Sequence, residues 1–411
     1  MSHHKRDTCR LCDSKKVELV FPLNPTPSAD QYLAAEQLNR VQEIYPLDLY
    51  LCLACGHAQL LDVVDQTVLF RDYLYVTSSS LGLVEHYRGY ADTVLERFKF
   101  DHAPTVMEVG SNDGSLLKFF KAKGCAVLGV DPARRIAQKA TEEGVETLPE
   151  FFNFELAQKI RRERGAASIV AANNVFAHND DLSGMAKGIR HLLRDDGVFV
   201  FELPYLGDLV EKKLFDTIYH EHLGYQSVKP LGIFLERHGM ELIRVDRIGT
   251  KAGSIRSFAQ SKGGPRKRDA SVDSILDYEN RLKLDQPETY RALAAEMERV
   301  RAELMGVVQK LKKEGKKIAG YGASPASTTL IYYFGLQNAM DYLVDDNKIK
   351  QGRFSPGCRL PIHPSTYLIK DKPDYVVALA WTYLDPILER NKSYRAAGGK
   401  FIVPLPKVAV V

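Results

Sequence analysis

No run of apolar residues in this chain is long enough to span a bilayer, which takes about 20. The first residues, Met1-Ser2-His3-His4-Lys5-Arg6, also lack the apolar core of a signal peptide. These absences give the expectation of a cytoplasmic protein with no membrane partner. An excess of one charge is missing too: 56 basic residues face 52 acidic ones, for a formal net charge of +4. A nucleic-acid partner calls for a basic face, so none is expected. Cysteine is scarce, with six in 411 residues, and four of the six form two short pairs, Cys9-x-x-Cys12 and Cys52-x-x-Cys55. Cys125 and Cys358 stand alone in apolar surroundings and read as inert core residues.

In a reducing compartment two such pairs read as one tetrahedral thiolate site for Zn2+ rather than as disulfides. Four thiolates close the coordination sphere and leave no position for a substrate, so the metal is structural. Between the pairs, Asn24-Pro25-Thr26-Pro27 and the strand pattern from Tyr45 to Leu53 suit a small loop-rich knuckle. A module this small needs its metal in order to fold.

From Thr105 onward, short apolar runs (Val106–Val109, Ala126–Val130, Ala167–Ala172, Val198–Leu203) alternate with helical patterns. This alternation predicts a doubly wound, mostly parallel sheet. After a loop-rich stretch ending in Lys262-Gly263-Gly264-Pro265-Arg266-Lys267-Arg268, one long helix is expected from about Leu276 to Glu314. A second alternation follows: Ile318–Ser324 is a strand entering a small-residue turn, Tyr342–Asn347 a strand ending in acids, and Tyr375–Ala380 another strand. The expected architecture is therefore α/β in three parts. A zinc-binding module covers 1–68, a central Rossmann-like domain 69–260, and a C-terminal Rossmann-like α/β domain 261–411.

The central domain opens with Val106-Met107-Glu108-Val109-Gly110-Ser111-Asn112-Asp113-Gly114, a strand running into a glycine turn, and continues to Leu128-Gly129-Val130-Asp131-Pro132. Gly110 and Gly114 let the backbone approach a ligand, and Asp131 at the end of the next strand can accept from two ribose hydroxyls. Ser111 and Asn112 belong to the same turn. The carboxylate of Asp113 would repel a pyrophosphate, which favours a cofactor without phosphate and with a positive charge. S-adenosylmethionine fits. Ligands in such sheets bind beyond the carboxyl ends of the strands, where Pro132, Asn173 and Asn174 are also expected.

Two further clusters carry chemistry. Asn173-Asn174-Val175-Phe176-Ala177-His178 follows a buried strand and faces the same edge. Tyr219-His220-Glu221-His222 packs four proton-handling side chains together. Metal-binding histidine pairs on a helix sit three or four apart; here they are two apart, and general acid–base work is the better reading. A histidine with an ordinary pKa near about 6.5 takes a proton at neutral pH, and a neighbouring carboxylate orients it.

Taken in order, these elements resemble the sugar C-methyltransferases, which methylate a carbon (commonly C3) of a nucleotide-linked 4-keto-6-deoxy sugar. The resemblance spans almost the whole chain: the four cysteines, the Glu108–Gly114 turn, Asn174–His178, Tyr219–His222 and the C-terminal Gly320-Tyr321-Gly322-Ala323. It implies that His222, Glu221 and Tyr219 surround the sugar, with His222 as base, and that His178 and either Tyr73 or Tyr75 line the same site. It also implies a nucleotide-sugar-binding role for the C-terminal domain, with Tyr321 and Ser324 as substrate contacts; Arg256, near the end of the central domain, is a third, since a guanidinium suits phosphate. Two stretches depart from the family. Relatives follow Gly-Tyr-Gly-Ala with a segment containing Lys, Gly and Asn, where this chain has Ser324-Pro325-Ala326-Ser327-Thr328-Thr329. They more often have His-Gly-Gly-Ser where Lys251-Ala252-Gly253-Ser254 stands. These departures leave open whether the nucleotide is thymidine or guanosine diphosphate. A monomer is expected, since each site is completed by two domains of one chain. The competing reading is an O- or N-methyltransferase of a small molecule with a structural zinc site, which needs no group to stabilise an enolate.

Overall fold

A computed structural model describes residues 3–70, 76–79 and 81–411. Tyr73 and Tyr75 lie outside the described residues. The largest sheet has seven strands, in the order Met240–Ile248, Ser254–Ser261, Leu193–Pro204, Ala167–Asn173, Thr105–Val109, Ala126–Val130 and Thr147–Leu148. The last five run parallel and the first two are antiparallel additions at one edge. Every residue of Ala167–Asn173 is buried, as expected of a parallel strand covered on both faces. From Thr105–Val109 the chain first builds outward through Ala126 and Thr147, then crosses back to Ala167 on the other side. The crevice opened by that reversal, beyond the carboxyl ends of the two central strands, is where such sheets hold a ligand.

A second sheet is antiparallel and small: Val17–Phe21, Leu49–Cys52, Ala58–Leu60 and finally Gly224–Tyr225. Its edge strand comes from the chain directly after His222. The Tyr219–His222 segment is thereby stitched to the cysteine module, although more than 150 residues separate them in sequence. The third sheet has five parallel strands, from Ile362–His363 to Lys400–Val403, closed by an antiparallel Ala409–Val410. One continuous core joins Phe21 and Leu49 of the module to Phe215 and Ile218, to Leu304 and Leu330, and to Val377 of the third sheet. The module therefore packs as part of the body of the protein.

The single long helix expected from Leu276 to Glu314 is two helices, Ala270–Leu282 and Pro287–Lys313. Lys283 is left-handed, with φ 54°, and Pro287 opens the second helix. Proline has no N–H for the preceding turn but suits the first turn of a new helix, so it ends one and starts the next. No helix among the described residues is long and apolar enough to cross a membrane.

Candidate active site

The crevice is a cavity of about 1020 Å3, partly open to solvent, with Asn112, Asp131, Asn173, Asn174 and His178 in its wall. Gly110 turns the chain at the end of the first central strand with φ 71°. A Cβ built there would stand 2.1 Å from Cγ2 of Val175, so glycine is required both for the backbone angle and for the close approach. Gly110→Ala is expected to raise the dissociation constant for S-adenosylmethionine at least ~10-fold and to lower stability by about 1–3 kcal/mol. Calorimetric titration and thermal unfolding read the two effects; wild-type values in both would refute the packing argument.

Asp131 accepts from the backbone N–H of Asn112 (2.8 Å) and of Ala133 (2.9 Å), one to each carboxylate oxygen. Each oxygen keeps a lone pair for a hydroxyl. Phe151 and Phe152, which follow the third parallel strand, add flat apolar wall. An acid for a ribose and aromatic surface for a purine fit S-adenosylmethionine, which when bound supplies an electrophilic methyl group on a sulfonium.

Three turn residues lie off the cavity wall. Ser111 faces the neighbouring strand, its Oγ 2.4 Å from a Cβ built on Gly129, and Gly114 packs against Val145. Asp113 accepts from Ser115 Oγ (2.6 Å), Ser115 N (3.2 Å) and Ser78 N (2.9 Å). Burial opposes ionisation, but the bonds from Ser115 and Ser78 outweigh it and hold the carboxyl below its usual range. The carboxylate expected to repel phosphate instead ties residues 76–79 to the turn.

Behind His178 of the cavity wall, His222 is pinned from both sides. Its Nδ1–H donates to the Thr217 carbonyl (2.9 Å), which leaves Nε2 as acceptor, and the Tyr219 hydroxyl donates to that nitrogen (3.0 Å). The ring stacks on His178, centroids 5.1 Å apart, and His178 stacks in turn on Phe70 at 5.6 Å. Burial, reinforced by the charge of Lys251 and opposed by the Thr217 carbonyl, pulls His222 down to about 3. Burial, then His222 and Lys251, puts His178 well below its ordinary value. Both rings are neutral at pH 7.

Glu221 faces a second cleft, shared with Asp30, Tyr32, Arg40 and Arg353. Its Oε2 is buried without a hydrogen-bond partner among the described residues. Burial pushes the carboxyl up to about 8, with Asp30 adding to the rise. His220 turns the other way and donates to the Pro46 carbonyl at 3.1 Å. The two histidines diverge, and among the described residues only the cysteines gather as metal ligands.

Those four sulfurs lie within 4.8 Å of one another. A hydrogen bond from Cys55 lowers the Cys9 thiol and raises that of Cys55, while burial raises Cys12. Proteins alone hold such a set as one thiolate among thiols; a divalent cation lets all four ionise. The donor set fits Zn2+. Beside Cys9, the buried Arg10 donates to Gln59 Oε1, to the Leu60 and Leu223 carbonyls and to Asp180. Leu223 follows His222, and Asp180 lies two residues after His178, so one guanidinium braces both histidine segments against the knuckle.

Comparison with known proteins agrees with this layout. A zinc binding domain model matches residues 9–70, a methyltransferase domain 83–245, and a C-methyltransferase C-terminal domain 249–406. C-methyltransferase NovU of Streptomyces niveus is 35% identical over 406 residues, covering 98% of this chain and 97% of its own. The chain belongs to the C-methyltransferase family. Solved structures similar to the central part include a magnesium protoporphyrin IX methyltransferase from Synechocystis, 16% identical over 44% of this chain and 79% of that one (TM-score 0.32). Another is the CcbJ methyltransferase from Streptomyces caelestis, 17% identical over 43% and 89% (TM-score 0.34). Likenesses so distant do not bear on substrate.

Within this C-methyltransferase, the three expected substrate contacts are otherwise engaged. Arg256 pairs with Glu202 across adjacent strands (2.6 Å) and lies over the Tyr90 ring at 4.2 Å, inside the sheet rather than facing a phosphate. The Tyr321 hydroxyl donates to Asp346 (2.8 Å), and Ser324 caps the helix Pro325–Tyr333. The C-terminal domain reaches the second cleft through Lys350, which donates to the Ala323 carbonyl (2.7 Å) and pairs with Asp30 at 3.5 Å. Sequence reasoning missed Gln66, Thr77, Tyr87, Phe151 and Lys251 in the cavity wall. Phe151 alone carried a usable signal, since it follows a short strand of the parallel sheet.

Proposed function

We propose that this C-methyltransferase acts on C3 of a nucleotide-linked 4-keto-6-deoxy sugar, through base-catalysed enolate formation followed by transfer of the methyl group from S-adenosylmethionine. The observation that carries the reading is the pinned His222: a neutral imidazole with Nε2 as acceptor, stacked directly behind His178 of the cavity wall. A C–H bond beside a ketone yields its proton because the charge delocalises onto oxygen. His222 Nε2 accepts that proton. The Tyr219 hydroxyl, now occupying Nε2, is displaced by the substrate carbon and donates to the enolate oxygen, as oxyanion donors do. His178 fills the gap between that pair and the cofactor cavity. Glu221, uncharged at pH 7, donates to a sugar hydroxyl from the second cleft. The arginines there, Arg40 and Arg353, suit a diphosphate.

The test is to incubate the protein with labelled S-adenosylmethionine and a panel of thymidine- and guanosine-diphosphate 4-keto-6-deoxy sugars, in H2O and in D2O. One methyl gained on carbon, with deuterium entering beside the ketone, is the expected result. Methylation of oxygen or nitrogen on a substrate without a ketone would transfer the case to the competing reading.

A further inference from the structure

Among the described residues, Lys251 is the one cationic side chain in the cavity wall. We propose that it is a further catalytic residue, whose ammonium stabilises the enolate oxygen as the acceptor carbon loses its proton; this rests on the enolate reading above. Three observations support it.

First, its place. The residue lines the cavity, in a wall it shares with Asn174 and His178. Its wall neighbour His178 stacks on His222, and the charge of Lys251 acts on both rings, which ties it to the acceptor side of the site. Its ammonium makes no hydrogen bond or ion pair with the described residues, so its three donors are open to a ligand.

Second, its backbone. Lys251 and Ala252 are both left-handed, with φ 51° and 65°, in a short turn after the strand Met240–Ile248. Consecutive non-glycine residues in that region cost about 1–3 kcal/mol each and persist only where surroundings impose them. Here Lys212 Nζ donates to the Ala252 carbonyl (2.8 Å) and Ser254 Oγ to the Thr250 carbonyl (3.0 Å), holding the turn closed. The strained turn keeps the lysine aimed inward.

Third, its charge. Burial lowers the ammonium to about 8, with Glu202 opposing. The surrounding ionisable groups are Glu202 with its partners Arg256 and His86, Asp208 and Lys212 from the neighbouring helix, and the two neutral histidines. Glu202 is already matched by Arg256, so Lys251 retains a cation at neutral pH that no carboxylate neutralises directly. In the reaction the C–H bond breaks, its proton goes to His222 Nε2, and the electron pair moves onto the carbonyl oxygen beside Lys251. When the new C–C bond forms, the pair returns to carbon and the sulfonium leaves as a neutral thioether. Lys251 keeps its proton throughout.

The experiment compares wild type with Lys251→Met and Lys251→Arg for deuterium exchange beside the ketone, methyl transfer and S-adenosylmethionine affinity. Methionine matches the lysine stem in size and meets the same backbone strain, and cofactor affinity checks folding. Loss of one preorganised donor to an oxyanion predicts about a 100-fold fall in exchange and in kcat for Lys251→Met, with cofactor Kd within twofold of wild type. Lys251→Arg is expected to restore part of the rate. Wild-type exchange in Lys251→Met overturns the proposal, as does weakened cofactor binding with exchange intact, which would assign Lys251 to the cofactor carboxylate. Absence of exchange and transfer in wild type itself would instead overturn the enolate reading.

Discussion

His222→Asn is expected to lower kcat by about 10²–10⁴-fold and to abolish deuterium exchange beside the ketone, while S-adenosylmethionine binds with near wild-type affinity. The asparagine amide can still donate to the Thr217 carbonyl, as Nδ1 does at 2.9 Å. The substitution therefore deletes the Nε2 acceptor and leaves the bond that holds the segment. Cofactor affinity should survive because His222 is absent from the wall that holds Asp131 and Asn112. Pulled to about 3 by burial, His222 is fully available as an acceptor at pH 7. A base so weakened gains strength only when negative charge develops next to it, and an enolate provides that charge. The measurement is single-turnover kinetics alongside exchange in D2O; wild-type exchange in this variant would remove His222 from the mechanism.

Stripping the metal with a chelator, or replacing Cys52 with Ala, is expected to cost the protein its bound Zn2+ and nearly all activity. Structural zinc contributes roughly 10–16 kcal/mol in small peptide sites, as much as the whole stability of a typical domain, about 5–15 kcal/mol. The effect reaches the chemistry through Arg10, whose four acceptors include the carbonyl after His222 and the carboxylate near His178. Buried acceptors left without that donor cost about 1–3 kcal/mol apiece. Metal content by mass spectrometry, thermal unfolding and turnover are read together. A zinc-free protein with unchanged melting and turnover would show that the knuckle is dispensable to the site.

The parallel strands were legible because each is a short, mostly apolar run bounded by turn residues, as Ala167–Asn173 illustrates. The cysteine cluster was legible because ligand spacing is itself a local pattern. The glycine turn was legible at Gly110, where the backbone angle and Val175 together demand the residue. It misled at Asp113, because a carboxylate near a ligand loop looks the same in sequence whether it meets the ligand or caps a helix. Arg256 misled for a similar reason: its partner Glu202 lies 54 residues away and meets it only through strand register. The break at Pro287 was written plainly in the chain and was outweighed by the helical periodicity on either side.

What the sequence by itself determined is everything carried by local spacing: the α/β class, the strand-to-turn cofactor motif with Asp131, the thiolate quartet and the proton-handling Tyr219–His222 segment. Tertiary structure alone decided which of those side chains meet. It turned His220 toward Pro46 and His222 toward His178, brought Lys251 into the cavity that His178 lines, and joined the knuckle to the Tyr219–His222 segment through Arg10 and the strand Gly224–Tyr225. The physical reason is range. Turns, caps and ligand pairs are set by neighbours a few residues apart, whereas a pocket is made by chain reversals and strand register that bring together residues 40 to more than 200 positions distant.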